Sequence, residues 1–174
     1  MRALVVVCLL APVWAQTGSN LLTSEDLIKD WENSKKFTIE VAAKMPADKY
    51  GFKATEAEMS FGALMVHIAG SQSFRFAQVS GTKPPPQLAA PTTGKVSKDQ
   101  ILGMLADSFD YVIRVLPKLT PEQLERSYKV DWRERPEASG RQVILNMFVH
   151  TAHHRAQAEV YLRLNGIEPP FYLF

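Results

Sequence analysis

The sequence predicts an all-α protein, a four-helix bundle, and three observations carry that prediction. Four stretches repeat apolar residues at helical spacing, each opened by a capping residue and closed by proline or glycine. No pair of alternating segments stands out as a hairpin. The 174 residues suffice for one domain and fall short of two.

The first helix starts at Thr23 or Ser24, with Glu25 and Asp26 at the positive end of its dipole. Leu27, Trp31, Ser34, Thr38, Val41 and Met45 form its inward stripe, and Pro46 ends it. The second begins between Thr55 and Ser60, where Thr55 and Glu58 offer a capping box, and runs to about Val79. Its expected inner stripe is Ala63, Leu64, His67, Ser71, Phe74 and Gln78. SGTKPPPQLAAPTTGK then reads as a long Pro-rich connection. Ser97 and Gln100 open the third helix, whose stripe is Ile101, Leu105, Phe109, Val112 and Leu116 before Pro117. A short helical turn is expected at Thr120–Gln123, and SYKVDWRERPE reads as an extended or hairpin-like link. Ser139 and Gln142 open the last helix, which runs to Leu164 and stops at Gly166. Trp31, Phe37, Phe74 and Phe109 are expected in the core.

Residues 1–15 stand apart: Arg2, an apolar run to Trp14, then Ala15. This pattern reads as a secretory signal, too short to span a membrane, with the folded domain occupying 16–174. Cleavage there removes Cys8, the only cysteine, so the exported chain has no thiol and no disulfide. The expected location is periplasmic or extracellular, with no stable membrane span after signal removal. A net charge of +2 without a basic cluster excludes nucleic-acid binding through an electrostatic footprint.

The chemistry concentrates in VHTAHHRAQ, which holds three of the four histidines. His150 and His154 lie one turn apart on the face shared with Val143, Met147, Ala158 and Tyr161, while His153 points to the flank with Asn146 and Val149. His67 occupies an inward position on the second helix. Two imidazoles at i and i+4 have the spacing of zinc-binding helices, and a third from a facing helix leaves other metal positions open. Structural histidines with satisfied ring nitrogens remain the competing reading at this level.

FGALMVHIAGSQ and HTAHHRAQ resemble the paired signatures of the DinB/YfiT-like family of metalloenzymes: a histidine in an LxxHIAxxE-like segment, and two in HxxxHRxQ. The resemblance runs from about Leu22 to Phe174 and implies that family's four-helix bundle. It implies one divalent metal on His67, His150 and His154, with zinc or nickel favoured by imidazole ligands. Arg155 and Gln157 match HRxQ as positioning groups; Ala156 stands where glycine is common. Gln72 stands near a position that is often acidic, which counts against a carboxylate base there. The activity implied is metal-dependent hydrolysis or thiol-dependent transfer on an unknown small molecule. The alternative is a non-catalytic bundle that binds a metal or small molecule, or a dimeric interaction module. A homodimer using the apolar tail FYLF is a further expectation.

Overall fold

The computed structural model describes residues 24–88, 96–132 and 135–173. Residues 1–15, with Cys8, lie outside them, as does the last part of the Pro-rich connection, 89–95. Four long helices carry the fold: α1 (Ser24–Lys44), α2 (Phe61–Ser80), α3 (Lys98–Val115) and α5 (Gly140–Leu164). They close a ring, α1 packing on α3 and α5, and α2 packing on the same two. The short α4 (Pro121–Glu125) and a hairpin of β1 (Ser127–Trp132) and β2 (Arg135–Ser139) connect α3 to α5.

Three helices begin where side chain and backbone exchange hydrogen bonds. Ser97 with Gln100, Thr120 with Gln123, and Ser139 with Gln142 each form a complete capping box, satisfying donors the first turn would otherwise leave open. The expected box at Thr55 does not form. Glu58 N–H donates to the Thr55 carbonyl in a turn, and Ser60 caps α2 by accepting from Ala63 N–H. Tertiary bonds fix that start: Phe61 N–H donates to Phe52 O and Gly62 N–H to Tyr50 O. Gly81 and Gly166 adopt positive φ, 68° and 71°, and end α2 and α5 as glycine does most easily.

The link after α4 is a true antiparallel ladder, pairing Ser127 with Ser139 and Lys129 with Glu137, with a register shift before Trp132–Arg135. The sequence hides it because β2 is RPEAS, polar and interrupted by Pro136, which an edge strand tolerates. It is anchored on the end of α2, where Tyr128 Oη donates to Val79 O and Gln78 Nε2 to Lys129 O.

The interior divides into two apolar halves. One gathers Phe37, Val41, Met45, Phe61, Leu64 and Leu105 with Tyr161; the other gathers Trp31, Phe76, Phe109, Val112, Val143 and Met147. Between them lies a buried polar layer of Ser34, Thr38, Gln72, Ser73, Ser108, Thr151 and Arg155. Gln72 Nε2 donates to Ser108 Oγ and Thr151 Oγ1 donates to Gln72 Oε1, both at 3.3 Å. Arg155 donates to Ser34 Oγ and Thr38 Oγ1 and stacks on Phe37, 4.6 Å from the ring centre. A buried guanidinium held this way ties α5 to α1.

The inner stripe expected for α2 needs correction. Leu64 is buried, but Ala63 and Gln78 are exposed and Phe74 is 71% exposed. The buried line is Phe61, Leu64, Met65, Ile68, Gln72, Phe76 and Val79. His67 and Ser71 lie at its edge, towards α5, so a stripe centred on His67 is rotated away from the true core.

Candidate metal centre

Antiparallel α2 and α5 bring His67 against His150 and His154 at the level of the polar layer. Nε2 of His150 lies 3.2 Å from Nε2 of His67 and 3.1 Å from Nε2 of His154. One ligand atom from each of the three falls within 4.8 Å of the others. All three rings are partly buried, and His153 stands exposed on the flank.

The neighbours decide which nitrogens face inward. His154 Nδ1–H donates to Gln157 Oε1 at 2.6 Å, leaving its Nε2 with a lone pair. His150 Nδ1 faces Ser71 Oγ at 3.5 Å, and that hydroxyl donates to Ile68 O, so its own oxygen can accept the Nδ1 proton. With those tautomers, lone pairs of two imidazoles point at one place and His67 completes the group. Converging lone pairs repel one another unless a proton or a cation lies between them.

Protons bind poorly here. Burial, then the proximity of His154 and Arg75, holds His67 below the usual histidine range. Burial first, then His154 and Arg75, pushes His150 down to about 4. Burial also lowers His154, against the opposing effect of its Gln157 bond. Neutral imidazoles are the form that ligates metals. Two imidazole nitrogens on one zinc, each at about 2.0–2.1 Å, stand roughly 2.8–3.4 Å apart at angles between about 90° and 110°. The 3.1 and 3.2 Å separations match that spacing. The residues fit a divalent ion.

Three other polar side chains of α2 and α5 take no part in the cluster. Gln72 is buried among Ser108 and Thr151, so its carboxamide serves the core. Tyr161 Oη donates to Met59 O. Glu159 pairs with Arg163 at 3.7 Å. A residue the sequence reading passed over lies nearby: Arg75, the only Lys, Arg, Asp or Glu in α2. Its Nη1 donates to Asn146 Oδ1 at 2.6 Å, and Nη2 lies 4.0 Å from the exposed carboxylate of Asp131. A single charge on an otherwise uncharged helix, two turns after His67, was the available signal.

A ring of four helices with three imidazoles converging between two of them defines a helical bundle able to hold an ion in its wall. The chain belongs to the DinB superfamily, whose model matches residues 31–158. It is 29% identical to the Bacillus subtilis protein YjoA over 154 residues, spanning 86% of this chain and 96% of that one. The crystal structure of that DinB-like protein superposes with a TM-score of 0.65 at 26% identity, covering 84% of this chain and 97% of YjoA. A DinB-like protein from Bacillus cereus shares the fold, with a TM-score of 0.71 at 16% identity over 84% of this chain and 95% of its own.

Proposed function

We propose that His67, His150 and His154 bind one divalent metal ion, with zinc or nickel preferred, and that the centre serves metal-dependent hydrolysis or thiol-dependent group transfer on a small molecule. The observation that carries this reading is the convergence of three imidazoles, their ligand atoms within 4.8 Å of one another and His150 Nε2 at metal-ligand spacing from both others, with outer nitrogens of His154 and His150 turned to Gln157 and Ser71. When bound, the ion supplies Lewis acidity. The chain's own residues keep the imidazoles neutral, fix the tautomers of His150 and His154, and hold all three rings on two helices tied into one core.

Elemental analysis of protein purified without chelator or histidine tag tests the proposal. About one equivalent of zinc or nickel is expected in the wild type and none in His150→Ala, with unchanged helical circular dichroism. Metal retained by the variant would overturn the ligand assignment.

A non-catalytic metal-binding bundle is the second reading. It is favoured by the make-up of the cluster, which gathers imidazoles alone. Turnover of activated esters or thiol acceptors by the loaded protein separates the two. Residues 1–15 support export as part of the proposal, with 16–174 as the mature domain, and the N-terminal sequence of the natural protein tests it. Among the described residues, no helix is long and apolar enough to cross a membrane.

A further inference from the structure

Arg75 has five N–H donors and, among the described residues, gives one hydrogen bond, to Asn146 Oδ1. Its ionic neighbour Asp131 is 4.0 Å away with an 89% exposed side chain, a loose pairing that water screens heavily. The Arg75 side chain itself is 20% exposed, so it can be reached without being fully solvated. Its position is specific. Arg75 follows Ser71 by one turn and His67 by two, and side chains on a helix lean towards its N-terminus, here towards the histidines. On the facing helix α5, its partner Asn146 precedes His150 by one turn.

A second feature lies on the same side of α2. Phe74 is within about 20° of His67 around the helix axis, yet it is 71% exposed. Exposing an aromatic ring beside a cluster of polar groups forgoes burial that a bound carbon frame would restore.

We propose that Arg75 is the docking cation for the carboxylate of the substrate, which is a small amphipathic acid. Its apolar body lies along Phe74 and its reactive group reaches the three histidines. The incoming carboxylate displaces Asp131 and takes a charge-assisted, two-point hydrogen bond from the guanidinium. Arg75 is thereby a specificity-determining residue. This inference rests on the metal-centre reading above.

The test uses cobalt(II)-loaded protein and two thiol probes, mercaptobutyrate and its neutral analogue mercaptobutanol, with the cobalt–thiolate absorption as the readout. Wild type is expected to bind the acid at least about tenfold more tightly than the alcohol. Arg75→Gln is expected to lose that preference while keeping its affinity for the alcohol, and Arg75→Lys to keep part of it. Equal preference in wild type and Arg75→Gln overturns the role of Arg75. Wild type that takes up cobalt but binds both probes alike also overturns it and leaves the metal reading standing. Failure to take up cobalt overturns both.

Discussion

Gln157 illustrates how much of the centre is decided one side chain at a time. By accepting from Nδ1–H of His154 it turns that ring's free nitrogen towards its neighbours, and the HRxQ spacing on one helix made the partnership legible. Gln72 is the opposite case: it stands near a position that is often acidic in the family, yet one step around the helix from Ser71 it lies in the core, bonded to Ser108 and Thr151. Adjacent residues on a helix differ by about 100°, so a small error in the chosen face exchanges site for interior. The three lowered histidines also have a consequence for stability. Their folded pKa values lie below the unfolded value, with His150 at about 4. The unfolded chain therefore binds more protons as pH falls below roughly 6.5. Metal-free protein should keep this contribution above that pH and lose it towards pH 4, seen as a falling urea midpoint. His150→Ala should reduce the dependence, whereas an equal slope in both proteins would remove His150 as a cause.

At the scale of elements, legibility followed the locality of the signals. The boxes at Ser97, Thr120 and Ser139 are completed by residues three positions away, and each start was readable. The start of α2 was blurred because Phe52 and Tyr50 fix it by folding back onto Phe61 and Gly62. The hairpin was half visible, because β1 alternates in burial while polar β2 does not, and the pair is anchored on α2. Where α5 leaves that hairpin, Gly140 passes so close to α4 that a Cβ would stand 2.3 Å from Gln123 O and 3.1 Å from Leu124 Cα. Both are backbone atoms and cannot rotate away. Gly140→Ala should cost about 1–3 kcal/mol in urea unfolding, as overpacking typically does. Unchanged stability would show that this junction is loose.

Over the whole molecule, the four-helix architecture was legible because periodicity and punctuation agreed along the chain. The polar layer between the two apolar halves was not, since Ser34 and Thr38 look like ordinary members of an apolar stripe until Arg155 reaches them. That layer lies level with the histidines, so the groups fixing the rotation of α5 share a tier with those converging on the centre. The arrangement makes the centre a product of the whole ring of helices. X-ray absorption at the zinc edge of the loaded, tag-free protein tests this most directly. The account predicts three imidazole ligands at about 2.0–2.1 Å, completed by oxygen. Zinc bound with fewer than three imidazoles, or no stoichiometric zinc after reconstitution, would contradict it.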